Sequence, residues 1–293
     1  LIMYQKKYNA LKIIESIVMS QGYLWVEPST FEDYDEFRAI NQRVSSEGLL
    51  KLIDPRSKVL VVSPDITTGL MQSILPKYKR KSPLKLFYYT NVYSIARNAH
   101  IIETKQFGVE NLGDDSNDAD GKVFTLALSI LEAFEIDYVV ELNHSELIER
   151  LLESHNVSSN DKKSIKEMLY YKRQEQLKNF LKSRQYQPLY PLVDFIHFQG
   201  DLNTFASKWQ SFTKSSMMDD ILETLSLFDQ NIPKMLKAKL TYDGSLISLY
   251  DYYEGMTFKC FSKRTGRLLL QGGRYDKLTE TFGMKIPAIG FSL

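Results

Sequence analysis

Residues 248 to 261 read Ser248-Leu-Tyr-Asp-Tyr-Tyr-Glu-Gly-Met-Thr-Phe-Lys-Cys-Phe261, followed further on by Leu270-Gln-Gly-Gly-Arg-Tyr-Asp-Lys-Leu278 and Pro287-Ala-Ile-Gly-Phe-Ser-Leu293. The first stretch is rich in the aromatic residues that favour sheet strands. Thr265 and Gly266 separate it from a second apolar run, and glycine is favoured in tight turns between strands. These residues therefore predict a β-hairpin with arms at about 249 to 261 and 267 to 273.

Outward from the hairpin, the chain shows mixed strand and helix patterns. A helix is predicted over residues 11 to 20, ending near Gly22, and an extended segment from Tyr23 to Pro28. Further aromatic and β-branched runs predict strands at residues 58–63, 84–93, 105–111 and 137–143. From about 145 to 235 the pattern is mostly helical and polar, which predicts a helical insertion between strands of a sheet.

Another helix is predicted after the acidic run 114–120, whose carboxylates suit a helix N-terminus as caps and through the helix dipole. Apolar residues then recur at helical spacing and should form one buried face. This face consists of Val123, Leu126, Ala127, Ile130, Leu131 and Phe134.

Composition limits the function classes. The chain has 293 residues, 43% of them hydrophobic, which is enough for a large folded core. Its net charge of +1 gives no basic excess for tRNA binding, so no tRNA partner is expected. Cys260 is the only cysteine and is expected to be a buried thiol, and the four histidines lack metal-ligand spacing, so no metal site is predicted. No run is long enough for a membrane span and the N-terminus has no signal-peptide pattern, so a cytoplasmic protein with no membrane partner is expected.

The hairpin region resembles histidyl-tRNA synthetases. That family reads Arg-Gly-Leu-Asp-Tyr-Tyr-Thr-Gly-X-Val-Phe-Glu where this chain reads Ser248 to Lys259, and Gly-Gly-Arg-Tyr-Asp-Gly-Leu where it reads Gly272 to Leu278. The resemblance implies an α+β fold, the class II aminoacyl-tRNA synthetase-like antiparallel sheet flanked by helices, over residues 1–293 with a helical insertion at about 145–235. It also implies dimers formed through the helix and strand before Pro28. No anticodon-binding domain is expected within residues 1–293.

A second cluster of resemblance lies between residues 62 and 110. Val62-Ser-Pro-Asp-Ile-Thr-Thr68 is similar to the family's Arg-Pro-Glu-Gly-Thr, which implies that Asp65 and Thr67 hold the α-amino group of histidine. Gln106-Phe-Gly-Val-Glu110 is similar to the family's Gln-X-X-X-Glu, which implies that Gln106 contacts the amino-acid backbone end and Glu110 accepts a hydrogen bond from the imidazole. Residues i and i+4 of a strand share a face, so both can reach one ligand.

The family's aromatic positions complete the implied histidine site. They fall on Tyr252 and Tyr253, of which Tyr253 is expected beside the imidazole, and on Tyr275, which is expected to line the same cavity.

Each of these segments, taken alone, also has a purely structural interpretation. Residues 63 to 68 suit a turn followed by a helix N-cap, and Gln106 with Glu110 suits the solvent face of an alternating strand. Residues 251 to 253 suit an aromatic strand. Their order and spacing along one chain favour the shared site.

Two family arginines are missing. Ser94, after Tyr93, falls where motif 2 of class II synthetases supplies an arginine, and Ser248 falls on the arginine that opens the family's hairpin motif. A serine hydroxyl lacks the permanent charge and bidentate donors that stabilise a reacting phosphate. Arg97 matches a different family arginine and suits either an anion contact or a solvent-exposed position. The chain is therefore predicted to bind histidine without activating it, with no catalytic residue and no cofactor.

A histidine pocket without activation chemistry resembles the synthetase-like regulatory subunits of ATP phosphoribosyltransferase. The resemblance implies a homodimer core and a short catalytic subunit as partner, in a hetero-octamer with four copies of each chain. It implies that the chain is required for full activity in the first step of histidine biosynthesis and for feedback inhibition by histidine, the allosteric effector. Two alternatives stay open: the catalytic domain of a histidyl-tRNA synthetase, and another synthetase-like protein.

Overall fold

Long, mainly antiparallel strands form the framework of the chain. A computed structural model describes residues 2–41, 44–79, 82–96, 98–213, 216–248 and 252–293. The described strands are β1 (Leu24–Trp25), β2 (Phe31–Asp33), β3 (Lys51–Ile53), β4 (Val59–Val62), β5 (Leu84–Ile95), β6 (Ile101–Leu112), β7 (Tyr138–His144), β8 (Gln199–Gly200), β9 (Leu240–Asp243), β10 (Met256–Ser262), β11 (Leu268–Arg274) and β12 (Ala288–Ser292).

Helices flank these strands and fill the segment between β7 and β9. The described α-helices are α1 (Ile2–Ser20), α2 (Tyr34–Ile40), α3 (Ile66–Ile74), α4 (Ala119–Ala133), α5 (Glu146–Ser154), α6 (Ser159–Tyr170), α7 (Gln174–Ser183), α8 (Leu192–Phe195), α9 (Leu202–Thr213), α10 (Asp219–Asn231), α11 (Lys234–Lys237) and α12 (Asp276–Thr281). Over the described ranges, no helix combines the length and apolar character needed to cross a bilayer.

The backbone divides into two compact units, Leu1–Ile136 with Tyr275–Leu293, and Asp137–Arg274. In the first unit β1 runs parallel to β5, while β5, β6 and β12 pair antiparallel in that order. β5 and β6 keep one register from Leu84 opposite Leu112 to Ile95 opposite Ile101. A smaller antiparallel sheet has the order β2-β4-β3.

α4 supplies much of the core of the first unit. The predicted apolar face is confirmed from Val123 to Leu131, and Phe134 is half-buried at the C-cap. The predicted carboxylate cap is not found, because the side chain of Asp118 makes no capping hydrogen bond. Asp118 instead forms an exposed ion pair with Lys122, which lies on the same side one turn along the helix (2.8 Å).

The second unit contains the predicted hairpin. β11, β10 and β7 pair antiparallel, β9 runs parallel to β7, and β8 pairs antiparallel with β9. Cys260 of β10 is buried, as predicted, and burial raises the pKa of its thiol to about 12. The polar segment predicted to be helical contains α5 to α11, together with the short strand β8 that the sequence pattern did not reveal.

Three predicted boundaries were wrong. α1 begins at Ile2 rather than near Leu11, because Tyr4, Tyr8 and their neighbours are exposed and so leave no apolar period to detect. The segment after Gly22 forms only the two-residue strand β1. The first hairpin strand begins at Met256, because Gly255 adopts a left-handed conformation (φ 108°) that interrupts a strand; residues 249–251 lie outside the described part.

An ion pair between a buried aspartate and a partly exposed lysine joins the helical segment to the sheet of the second unit. Lys172, between α6 and α7, donates to Asp243 Oδ2 at the end of β9 (2.7 Å) and to the carbonyl oxygen of Ile196 (3.1 Å). The Asp243 side chain is only 1% exposed, and Ser245 donates to its other oxygen through both the backbone N–H and the hydroxyl. The lysine therefore compensates a carboxylate that water does not reach.

Removing the Lys172 charge should destabilise the chain more than removing an exposed lysine. Lys172→Met leaves the buried Asp243 carboxylate without its cation, and we expect a loss of about 3 kcal/mol in the free energy of unfolding. Lys263→Met is the matched control, because its ion pair with Asp137 is exposed (50% and 71%) and should contribute at most about 1 kcal/mol. Urea unfolding of both variants measures the difference, and equal losses would contradict the assigned role of Lys172.

Candidate functional site

The Glu110 carboxylate lies at the centre of the candidate site in the first unit. Glu110 belongs to β6, directly opposite Leu86 of β5 and Gly290 of β12, and is 1% exposed. Thr67 donates its hydroxyl hydrogen to Oε1 (2.8 Å), and Tyr275 donates its phenolic hydrogen to Oε2. Each carboxylate oxygen thus has a hydroxyl donor, which offsets part of the cost of burying it.

The Glu110 carboxylate occupies space that is open because Gly290 has no side chain. A Cβ atom built on Gly290 would lie 2.0 Å from Glu110 Oε2 and 2.4 Å from the carbonyl oxygen of Val109. Neither atom belongs to a flexible chain end, since Val109 O is backbone and Glu110 is held from both sides. Only glycine fits opposite Glu110 without displacing it.

Burial governs the protonation of Glu110. The pKa is raised from an ordinary value near 4.5 to about 8, chiefly because the charged form loses its hydration. The hydrogen bonds from Tyr275 and Thr67 act in the opposite direction, and the negative charge of Asp65 raises the pKa further. Near neutral pH, the Glu110 carboxyl group can therefore release its proton and accept a hydrogen bond from another donor instead.

Gln106 shares the face of Glu110, with Tyr88 packed between them. Gln106 Nε2 donates to the Tyr88 hydroxyl oxygen (2.9 Å), and Tyr88 lies opposite Gly108 in the β5–β6 register. A Cβ atom on Gly108 would lie 2.2 Å from the Tyr88 ring, so the bare position is needed for the ring. Tyr88 was not predicted as a site residue, although the glycine between Gln106 and Glu110 was a signal that a large side chain covers this strand.

Asp65 starts the helix that carries Thr67. Its carboxylate Oδ2 accepts from the Thr68 N–H (3.3 Å) and from the Thr68 hydroxyl (2.5 Å), and the residue caps α3. The structural interpretation of this segment as a helix N-cap is therefore confirmed. The cap also fixes the first turn of α3, which presents Thr67 to Glu110.

A third buried carboxylate, Glu32 of β2, was missed by sequence reasoning. Glu32 is 5% exposed, and its Oε1 has no hydrogen-bond partner among the described residues. Burial, followed by the charge of Asp65, raises its pKa to about 9. No pattern signalled it, since an acidic residue in a short strand normally faces water.

The second unit holds the other predicted aromatic residues. Tyr252 is buried, its ring centroid lies 5.1 Å from that of Tyr253, and Tyr253 packs over Gly273, whose missing Cβ leaves room for the ring. Gly255 anchors the turn that follows, because its N–H donates to Ser145 Oγ (2.9 Å) and its carbonyl accepts from the Ser145 N–H (2.8 Å). Tyr253 and half-buried Ser248 line one pocket of this unit.

The positions of the missing arginines are both described. Ser94 is exposed near the end of β5, opposite Ile102 of β6. Ser248 lies on the pocket just mentioned. The prediction for Arg97 concerns a residue outside the described ranges.

The structure thus brings five of the predicted residues together within the first unit. Thr67 and Tyr275 bind Glu110, Asp65 acts on it electrostatically, and Gln106 shares its strand face. Buried carboxyl groups that accept from neutral donors suit a ligand bearing N–H groups or positive charge. The placement of Tyr252 and Tyr253 in a common site with these residues stays a prediction.

Comparison with sequences of known proteins gives consistent relatives. A family model described as histidyl-tRNA synthetase matches residues 5–293. The ATP phosphoribosyltransferase regulatory subunit of Alkaliphilus metalliredigens is 30% identical over 295 residues, which cover 96% of this chain and 74% of that protein. The protein of the same name from Oceanobacillus iheyensis is 27% identical over 293 residues, covering 99% and 72% respectively.

Solved structures show a similar fold. An ATP phosphoribosyltransferase regulatory subunit/histidyl-tRNA synthetase from Bacillus halodurans has a TM-score of 0.85 and 24% identity, with 99% of this chain and 77% of that chain covered. A chain of the ATP phosphoribosyl transferase (HisG:HisZ) complex from Thermotoga maritima has a TM-score of 0.68 and 17% identity, with 98% and 96% covered. The predicted α+β, class II synthetase-like fold is confirmed.

The raised pKa of Glu110 makes a prediction about stability against pH. Between its ordinary value near 4.5 and about 8, the folded chain keeps a proton that the unfolded chain has released. The free energy of unfolding should therefore fall as pH rises through this window, by up to about 1.4 kcal/mol per pH unit. Glu110→Gln removes this term, so the stability of the variant relative to wild type should improve from about pH 5 to about pH 8.

Tyr275→Phe is the companion variant, because it removes a donor that lowers the pKa of Glu110. Its window of falling stability should extend to higher pH. Denaturant unfolding at each pH measures both effects. A wild-type minus Glu110→Gln difference that stays constant with pH would contradict the assigned protonation.

Proposed function

This chain belongs to the histidyl-tRNA synthetase family and, within it, to the regulatory subunits of ATP phosphoribosyltransferase, and we propose that it senses histidine without activating it. The proposed role is to make a short catalytic subunit fully active and to carry feedback inhibition by histidine, at the first step of histidine biosynthesis.

The buried Glu110 carboxylate is the observation that carries this proposal. An imidazole N–H is a directional donor of the kind that an enclosed carboxylate accepts. Thr67 and Tyr275 hold Glu110 in one orientation before any ligand arrives, so little ordering is required on binding. A ligand without that N–H would give the Glu110 carboxylate no additional donor. Ionising Glu110 would then cost as much free energy as it does without a ligand.

The nearby charges favour an amino-acid effector. Asp65 raises the pKa of both Glu110 and Glu32, so it lies within electrostatic reach of both carboxyl groups. An ammonium group in their midst would favour the ionised forms and remove this mutual repulsion. Free histidine combines an ammonium with an imidazole, and Gln106 is proposed to contact its backbone end, with Tyr253 beside the ring.

Loss of activation chemistry is supported by the two serines. Ser94 and Ser248 offer neutral hydroxyls where the family's arginines stand. Removing one preorganised donor of this kind typically costs about 2.7–4 kcal/mol of transition-state stabilisation. Two such losses would leave adenylation negligible.

The proposed assembly is a homodimer core with short catalytic subunits, four copies of each. In the first unit, Leu24 and Trp25 of β1 are 63% and 60% exposed. Exposed apolar side chains on an edge strand of a sheet are typical of a protein interface. This region, with α1, is the proposed dimer contact.

We expect the chain to neither exchange pyrophosphate with ATP in the presence of histidine nor charge tRNA. The physical reason is the missing positive charge at Ser94 and Ser248. Radioactive pyrophosphate exchange measures the first activity, with an active histidyl-tRNA synthetase as positive control. Exchange clearly above the no-enzyme rate would favour the alternative reading, a functional synthetase.

Substitutions at the effector site should weaken feedback inhibition of the assembled complex. In Gln106→Ala and Glu110→Ala, the histidine concentration for half-inhibition should rise roughly tenfold or more, since coupling energies between such sites are typically about 1–3 kcal/mol. Initial rates of phosphoribosyl-ATP synthesis are measured against histidine, each relative to the uninhibited rate of the same variant.

Lys105→Ala is the matched control, because its exposed side chain projects from the opposite face of β6 and should leave inhibition unchanged. The catalytic subunit alone is the reference. If that subunit is equally active and equally sensitive to histidine without this chain, the regulatory role is wrong.

A further inference from the structure

We propose that Glu32 regulates the charge of the effector site: an ammonium group bound at Asp65 displaces the proton of the buried Glu32 carboxyl group, which is released to solvent. The inference rests on the proposed function, because it takes the effector to be an amino acid. Glu32 acts on the ligand through the electrostatic field around Asp65 and is a positioning residue. Its contribution is a second negative charge that is present only while the ammonium is bound.

The Glu32 carboxyl group lies against the first turns of α3. Glu32 is the middle residue of β2, opposite Val61 of β4, and is 5% exposed. A Cβ atom built on Gly69 of α3 would lie 3.0 Å from Glu32 Oε1 and 3.1 Å from its carboxyl carbon. Since Gly69 carries no side chain, the carboxyl group can approach the helix backbone closely.

Asp65 lies on the same side of the helix as this contact. It is the N-cap of α3, four positions before Gly69, and helix positions four apart are neighbours on one face. The Glu32 carboxyl group is therefore about one turn away from the Asp65 carboxylate. In agreement, burial and, after it, the negative charge of Asp65 raise the pKa of Glu32 to about 9.

Among the described residues, none offsets a negative charge on Glu32. Its Oε1 atom accepts no hydrogen bond there, and Asp65 is the charged group that acts on it. Lys51 of β3 lies in the same cross-strand row beyond Val61, but it is exposed and donates to a serine hydroxyl (2.7 Å). Arg38 of α2 donates to backbone carbonyls. An unpaired carboxyl group in this position is stable only with its proton.

The Asp65 carboxylate is fixed in place by its own hydrogen bonds. Its Oδ2 atom accepts from the N–H (3.3 Å) and the hydroxyl (2.5 Å) of Thr68, and Asn41 Nδ2 donates to the same hydroxyl (3.3 Å). Of the two neighbouring carboxyl groups, Asp65 therefore carries the charge in the empty site and Glu32 carries the proton. Two carboxyl groups this close to each other titrate as a coupled pair.

A bound ammonium changes this distribution. Its positive charge offsets that of Asp65 and favours the ionised form of Glu32, and an opposite charge within about 4–6 Å lowers the pKa of a carboxyl group by about 1 to 3. The Glu32 O–H bond breaks, the electron pair stays on the carboxylate, and the proton goes to water. Because binding releases this proton, affinity should increase as pH rises towards the pKa of Glu32 in the empty site.

Counting released protons tests the proposal. Calorimetric titration with histidine at pH 8, in two buffers of different ionisation enthalpy, gives the number of protons released for each histidine bound. Glu32→Gln keeps the shape and the neutral charge of the protonated side chain but cannot ionise. Glu47→Gln removes an exposed carboxyl group as the matched control.

We expect Glu32→Gln to release about 0.4–0.9 proton fewer than wild type, because Glu32 is mostly protonated at pH 8 in the empty site and its pKa falls by about 1 to 3 on binding. Glu47→Gln should match wild type. Any proton that Glu110 releases is present in all three proteins, so it cancels from the difference.

A ligand without the ammonium tests the cause of the release. Imidazolepropionate keeps the imidazole and the carboxylate of histidine and lacks its amino group. Wild type and Glu32→Gln should release equal numbers of protons with this ligand, or should not bind it. A proton release that depends on Glu32 with this ligand would overturn the assignment to the ammonium.

The outcomes separate this inference from the proposed function. If wild type and Glu32→Gln bind histidine with equal proton release, the inference is wrong and the proposed function stands. If histidine does not bind wild type, both fail. If Glu32→Gln does not fold or does not bind histidine, the ¹³C chemical shift of the Glu32 carboxyl carbon in wild type decides. A change towards the ionised form during the histidine titration is expected, and no change overturns the inference.

Discussion

Full burial of one carboxylate, that of Glu110, is the constraint on which the first unit depends. An ionisable group can be enclosed only if its oxygens meet donors, and those donors come from two distant parts of the chain, Thr67 and Tyr275. The strand opposite must then lack a side chain, which explains Gly290. The first turn of α3, the strands β6 and β12, and Tyr275 before α12 therefore all contact the Glu110 carboxylate or the space that it occupies.

The second unit treats its buried charges differently. Asp243 is compensated within the chain by Lys172, Ser245 and their hydrogen bonds, which attaches the α6–α7 connection to β9. Lys259, two strands away in the same sheet, donates to a backbone carbonyl and lies directly opposite Glu141, whose charge acts on it. Removing one partner of a buried pair is costly, because it leaves a buried charge without compensation.

The sequence predicted more of the site than of its surroundings. Glu110, Thr67 and Tyr275 were named because their segments resemble short motifs of the histidyl-tRNA synthetase family, and the structure shows these three side chains in contact. Tyr88 and Glu32 were not, since each depends on which strand lies opposite, and pairing register is a long-range property that local pattern does not contain. The start of α1 was missed for a different reason. The residues in its first turns are mostly exposed, so the sequence shows no apolar periodicity that would indicate a helix.

Protonation links the architecture of the site to the proposed sensing role. With a pKa near 8, Glu110 holds a proton at neutral pH in the empty site, so a ligand that needs the carboxylate must first displace it. That displacement costs about 1.4 kcal/mol for each pH unit below the pKa. A feedback sensor has no use for the tightest binding, because its occupancy must change as the effector concentration changes. In the proposed histidine site, burial of Glu110 would contribute selectivity through the donor that the carboxylate requires, and the retained proton would lower the affinity.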